Sequence, residues 1–178
     1  MPSRHHLFVS VSDDERWMRL ALEEAANGLA RGELPIGAVV VVNEDVVGRA
    51  HTQEREQNRL LVHAELLALE QADRTLGRRR AQARLFTTLE PCLGCLGAAM
   101  TTMVGAIVFA LESPSDGGVS TVRAWESSRD HSLFPAYRLP PVTAGVLRAD
   151  SVAMFRSYVE QHPSDGPMTA WARSLATT

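Results

Sequence analysis

The chain has 178 residues, 45% of them hydrophobic and 22% charged, with a formal net charge of −3. That length suits one substantial core rather than two full domains, and the balance of apolar and charged residues excludes a disordered chain. No run approaches the roughly 20 apolar residues of a membrane helix, and Met1 to Ser10 lacks a signal-peptide core, so a cytoplasmic protein with no membrane partner is expected. The slight acidic excess gives no overall attraction for phosphate backbones.

Residues 1–12 are read as an N-terminal tail. Ser12-Asp13-Asp14-Glu15 has the form of a capping box, and Trp17, Met18, Ala21, Leu22, Ala25 and Leu29 recur at helical spacing, which predicts a helix over 13–31 stopped by Gly32. Leu34 to Val42 is apolar and β-branched, and Val46-Val47-Gly48 follows the turn Asn43-Glu44-Asp45, the pattern of a hairpin. A helix is predicted from about His63, with Leu66, Leu67, Leu69, Ala72 and Leu76 on its apolar side and Gly77 as its stop. Around that glycine cluster Arg74, Arg78, Arg79, Arg80 and Arg84, the best candidate for a local nucleic-acid patch but better read as a solvated helix end whose cations offset the dipole.

Arg84 to Leu89 is a predicted strand that runs directly into Glu90-Pro91, and Pro91 is assigned to the first turn of the next helix, where its missing N–H costs nothing. Ala106 to Leu111 is an unbroken apolar run of strand length. From Glu112 to Pro141 the pattern fails except for a helix-like piece at Val119 to Ser127, which marks a candidate wall or lid. Val142 to Leu147 reads as a strand, Asp150 as the cap of a helix ending before Pro163, and Met168 to Leu175 as a last short helix. Alternating strands and helices imply an α/β layered domain over 13–162 with a largely parallel sheet beyond the hairpin, and 163–178 forms a C-terminal extension.

His63-Ala64-Glu65 and Pro91-Cys92-Leu93-Gly94-Cys95 carry the chemistry. Cys92 and Cys95 are the chain's 2 cysteines, spaced for metal or redox work in a reducing compartment rather than for a disulfide framework. A helix N-terminus favours thiolate at Cys92, Cys95 lies one turn on, and His63 supplies a third ligand, leaving one position open as catalytic zinc sites do. Bound zinc brings the pKa of water towards about 7, and deamination also needs an unbound carboxylate to move protons, the role assigned to Glu65. The combination H-x-E…P-C-x-x-C resembles the established signature of zinc nucleobase deaminases.

Together with Glu33-Leu34-Pro35-Ile36-Gly37-Ala38 and Thr87-Thr88-Leu89-Glu90-Pro91-Cys92-Leu93-Gly94-Cys95-Leu96-Gly97-Ala98, these strings resemble the cytidine-deaminase-like superfamily, in the branch of tRNA adenosine deaminases, guanine deaminases and fungal-type cytosine deaminases. The resemblance implies a three-layer α/β/α fold with a mixed five-stranded sheet, Zn2+ held by His63, Cys92 and Cys95, Glu65 as proton shuttle, and a homodimer. Candidate substrate contacts are Thr52, Ala64 through its N–H, Pro35, Ile36, Glu90 and Trp171. The chain departs from the branch at Thr52, which stands where an asparagine usually meets the base, since one hydroxyl cannot repeat an amide's bonding pattern. It departs again at Arg59-Leu60-Leu61-Val62, in place of the common Asp-Pro-Thr segment.

Between Tyr158 and Thr178 the only cation is Arg173, which argues against a nucleic-acid partner and for a free base, nucleoside or similar amino-heterocycle as substrate. A tRNA or single-stranded nucleic-acid deaminase is the alternative, and a non-catalytic zinc-binding subunit a further one. Phe134, Tyr137 and Trp125 are additional stacking candidates in the diverged C-terminal third, with packing the commoner role for each.

Overall fold

Gly37 to Val42 is a run of small and β-branched residues buried on both sides, and it forms the strand β1 (Gly37–Val42) inside the molecule. Ala38, Val40 and Val42 face one core while Val39 and Val41 face another, the period-2 alternation of a strand covered on both faces. The computed structural model describes residues 11–130, 132, 137–163 and 166–178, the first two as backbone alone. Before β1 lies α1 (Val11–Leu29), and after it come β2 (Asp45–His51), α2 (Glu54–Gln57), α3 (Ala64–Leu76), β3 (Ala83–Leu89), α4 (Leu93–Thr102) and β4 (Ala106–Leu111). The chain continues through α5 (Val119–Ser127), β5 (Val142–Thr143), α6 (Arg148–Gln161) and α7 (Pro167–Ala176).

The sheet has the order β2-β1-β3-β4-β5, with β1 antiparallel to β2 and β3, and β3, β4 and β5 parallel. This is the mixed five-stranded sheet in a three-layer α/β/α arrangement that the resemblance implies. One face packs on α3 and α4 through Ala68, Leu69, Ala72, Leu96 and Met100. The other packs on α1, where Trp17, Met18, Ala21 and Leu22 meet Val39, Val41, Phe86 and Val108. Gly37 permits that contact, because a Cβ there would stand 2.2 Å from the carbonyl oxygen of Ala21. Among the described residues no helix is long and apolar enough to cross a membrane.

Strand directions decide where a site can form. Because β1 runs against β3, its first residues lie at the same sheet edge as the last residues of β3 and β4, with Ala38 opposite Thr87 and Gly37 opposite His51. The N-termini of α3 and α4 point to this edge, the place where open α/β sheets bind ligands. A third core of Leu34, Leu89 and Leu111 with Val152, Phe155, Tyr158 and Leu175 seats α6 and α7 beside it.

Several helix ends differ from the sequence reading. The first helix starts at Val11 rather than at 13, so Ser12 lies inside it and not at a cap. The helix after Pro91 starts at Leu93 with Cys92 as its N-cap, because Cys92 is held extended by a bridge to Gly117. Asp150 sits in the first turn of α6 behind the cap residue Leu147, and the strand expected over Val142 to Leu147 is only the 2 residues of β5. The arginine cluster is a helix end as expected: Arg74 pairs with Glu70, Arg80 with Asp73, and Arg79 binds the carbonyl of Thr75. Arg84 leaves the cluster to pair with Asp14.

Candidate active site

His63 is the N-cap of α3 and Cys92 the N-cap of α4, both extended, with ψ of 150° and 171°. Extended caps turn both side chains towards each other ahead of their helices, while Cys95, one turn into α4, points back to the same spot. Cys92 Sγ lies 3.6 Å from Cys95 Sγ, and His63 Nδ1 lies 3.7 Å and 3.4 Å from the two sulfurs. Tetrahedral zinc with its usual bond lengths separates two thiolates by about 3.8 Å and a thiolate from an imidazole nitrogen by about 3.6 Å. The donor set therefore fits zinc in both chemistry and spacing, and three protein ligands leave a fourth position for a reacting group.

The same crowding sets the protonation of the three groups. Cys92 accepts hydrogen bonds from Cys95 and His63, which bring its thiol down to about 3. Its bond to Cys92 raises His63 to about 9. Cys95 is pushed up, first because it donates to Cys92 and then by burial. Metal binding replaces the protons that hold this cluster together.

Glu65 is 3% exposed and stands at the second position of α3, with one carboxylate oxygen 3.4 Å from Cys95 Sγ. Its other oxygen accepts the Thr87 hydroxyl at 3.0 Å from β3. Burial raises the Glu65 carboxyl above the ordinary carboxylate range, partly offset by His63 and Thr87. A carboxylate with an elevated proton affinity, held beside the ligand cluster, is suited to accept a proton and give it back.

The cluster opens into a cavity of about 360 Å³ lined by Leu34, Ile36, Thr52, Glu54, Ala64, Glu90, Ser115, Asp116, Met168 and Trp171 among others. Thr52 is buried, donating its N–H to Ile36 and its hydroxyl to the Val62 carbonyl at 3.4 Å. Ala64 is the first residue of α3, where an N–H has no partner within the helix. Pro35 is not among the lining residues; its carbonyl accepts the Thr88 hydroxyl. Glu90 lines the cavity, but its carboxylate accepts the N–H groups of Ser113 and Val119 and so fastens the loop before α5.

Trp171 reaches the rim from α7, its ring roughly perpendicular to that of Phe155 and its indole N–H on Ser115 Oγ at 2.9 Å. The helix and the loop thus close on each other over one side of the cavity, and part of the 112–141 stretch forms the wall expected of it. Trp125 and Tyr137 pack edge to face on one another away from the lining, and Phe134 lies outside the described residues.

Sequence reasoning missed Thr87 and Glu54. Thr87 is an ordinary β-former in a strand, and only the fold shows that it faces Glu65. Glu54 Oε1 sits 3.3 Å from His63 Nε2, and nothing in the polar string Glu54-Arg55-Glu56-Gln57 marks one acid out.

A partly buried two-thiolate, one-imidazole cluster beside a buried, unbound glutamate, at the helix-bearing edge of this sheet, defines a zinc-dependent hydrolytic deaminase. The model of the cytidine and deoxycytidylate deaminase zinc-binding region matches residues 11–111, and the chain belongs to that family. It is 38% identical over 113 residues to a tRNA-specific adenosine deaminase of Bacillus subtilis, covering 63% of this chain and 70% of the relative. Among solved structures, one from a study of A-to-I editing by tRNA:A34 deaminases superposes with a TM-score of 0.67 at 31% identity, covering 78% of this chain and 98% of that one. A guanine deaminase from Nitrosomonas europaea follows at 0.62 and 25%, covering 81% and 83%.

These relatives overturn the expectation against a nucleic-acid partner, since those named for transfer RNA match over most of their own length. The expectation rested on the slight acidic excess and on the sparse cations of the tail. That tail forms only the last turn of α6 and then α7, whose Met168 and Trp171 line one side of the cavity, whereas the neighbouring α2 segment carries the exposed Arg55 and Arg59. Cation count in one segment does not measure the charge around a mouth built from several.

Proposed function

We propose that this enzyme converts an adenosine of transfer RNA to inosine by hydrolysis. The free-base or nucleoside reading is the weaker one, because the relatives with the higher identities are named for transfer RNA. The carrying observation is Glu65, buried beside the ligand cluster at the floor of a cavity large enough for one base and too small for a polynucleotide. A target base must therefore leave its stack and enter alone while the strand stays outside, as base-modifying enzymes require.

In this reading Ile36 and Trp171 flank the ring, Thr52, whose hydroxyl proton goes to the Val62 carbonyl, offers its oxygen as an acceptor to the base edge, and the Ala64 N–H meets a ring heteroatom. Pro35 and Glu90 act at one remove, through the strand edge and the loop that shape the cavity. Zinc, when bound, supplies Lewis acidity that makes a water molecule nucleophilic at neutral pH. Glu65 takes the proton that this water loses and delivers it to the ring nitrogen; it then takes the proton of the hydroxyl added to the ring carbon and passes it to the amine, which departs as ammonia while the carbonyl forms. Thr87 holds its carboxylate in line between these positions.

The test is inosine formation in tRNA transcripts, with adenosine, adenine, guanine and cytosine assayed for ammonia in parallel. Inosine in RNA with Glu65→Gln slower by about 10²–10⁴-fold at unchanged zinc content is the expected result. Ammonia from a free base with no inosine in RNA would overturn the substrate assignment, and loss of zinc from Glu65→Gln would overturn the role of Glu65.

A further inference from the structure

His63 has two working ends. Its Nδ1 faces the sulfurs of Cys92 and Cys95, so the ring can be a ligand there only when its proton sits on Nε2. Nε2 is not left to solvent: Glu54 Oε1 lies 3.3 Å from it, on a side chain only 23% exposed. A carboxylate in that place selects the tautomer, fixes the ring plane and strengthens the nitrogen that donates to a metal.

Glu54 is in turn held by a device outside its own helix. It opens the single turn α2, whose cap residue Gln53 makes no side-chain cap bond. The capping is done from a distance by Glu33, 3% exposed, whose two carboxylate oxygens accept the N–H groups of Arg55 at 3.1 Å and Glu56 at 2.6 Å. Gln53 adds a bond from its N–H to the carbonyl of Val62, the residue before His63. A buried acid in the connection between α1 and β1 thus fixes a short turn, and that turn carries a second acid against the metal ligand.

We propose that Glu54 is a positioning residue for the zinc ligand His63, and that Glu33 acts through α2 to keep it in place. The inference concerns the metal site and stands whichever base or RNA is the substrate. A direct contact between Glu54 and substrate is the rival role, since the same side chain lines the cavity.

Zinc affinity separates the two. Competition against a chromophoric chelator is measured on the full chain for wild type, Glu54→Gln, Glu54→Ala, Glu33→Gln and the Glu54→Ala/Glu33→Gln pair. Loss of an outer carboxylate costs a metal site about 10–100-fold, the fall expected for Glu54→Ala. Glu54→Gln keeps an acceptor oxygen without the charge and falls less, and its cobalt-substituted form has an altered visible spectrum. Glu33→Gln falls in the same direction, and the pair loses less than the two single losses combined, because both act through one ligand. Should Glu54→Ala not fold, the isosteric Glu54→Gln carries the test alone. Wild-type zinc affinity in the Glu54 variants overturns the proposal, and a raised KM at that affinity assigns Glu54 to the substrate.

Discussion

At Glu65, two demands conflict. The group must be ionised to accept a proton, yet burial opposes charge and raises its proton affinity. The Thr87 hydroxyl, wholly buried and 3.0 Å away, bonds the ionised form and restrains that rise. Thr87→Val keeps the shape and removes the bond, so the Glu65 carboxyl should rise further. Activity that needs the carboxylate would then begin at higher pH, moving the acid limb of the rate profile upward, with roughly tenfold lower kcat at pH 7 and a stability cost of about 1 kcal/mol. A pH–rate profile with zinc content checked at each point measures this; an unmoved acid limb would show that the Thr87 bond does not tune the base. At this scale the sequence was informative for the ligands and silent on their supports. His63, Glu65, Cys92 and Cys95 are close in sequence to their helix starts, so spacing alone brings them to notice. Thr87 and Glu54 meet their partners across 22 and 9 positions of chain through the fold, and neither residue type is unusual where it stands.

Elements act on the site through their packing. Helix α3 begins immediately after His63 and carries Glu65, and it lies on β2 where Gly48 leaves room: a Cβ on Gly48 would stand 2.1 Å from the Ala68 carbonyl oxygen. That neighbour is helix backbone, which cannot turn aside as a side chain can. Gly48→Ala must therefore lift α3 from the sheet, at a cost of about 1–3 kcal/mol, the range for overpacked cores. It should also weaken zinc binding, since His63 and Glu65 move with α3 while Cys92 and Cys95 stay with α4. Urea denaturation and chelator competition on the same preparation check the two effects, and lost stability with unchanged zinc affinity would place the strain elsewhere than on α3. The interiors of these elements were legible because amphipathic period and apolar runs are local properties: α5 and β4 fall on the residues that the pattern marks. Helix starts were less so. Pro91 and Asp150 are good first-turn and capping residues by type, but the bridge between Cys92 and Gly117 and the left-handed Leu147 move the actual caps.

On the scale of the whole molecule, the site ties together parts of the chain that the cores hold separately. His63 belongs to the segment ahead of α3, Cys92 and Cys95 to α4, and Glu90 beside them fastens the loop that meets Trp171 of α7. The substrate was least legible because the mouth of the cavity is assembled from α2, the 112–118 loop and α7, and no single one of these states a partner; net charge and the tail both pointed away from RNA. The metal is different, since its ligands lie in two short strings and its effect reaches the entire fold. A metal that binds only the folded chain stabilises it by mass action, about 2.7 kcal/mol when present at a hundred times its dissociation constant. For a domain of this size each kcal/mol moves the melting temperature by about 2–4 °C. Removing zinc with a chelator at pH 7 should therefore lower Tm by about 5–10 °C, and added zinc should restore it. Thermal melts of chelated, reloaded and Cys95→Ser protein measure this: the Cys95→Ser protein should melt near the chelated wild type and gain little from zinc. An unchanged Tm after verified metal removal would mean that the cores alone preorganise the cluster, and that zinc serves the chemistry without serving the fold.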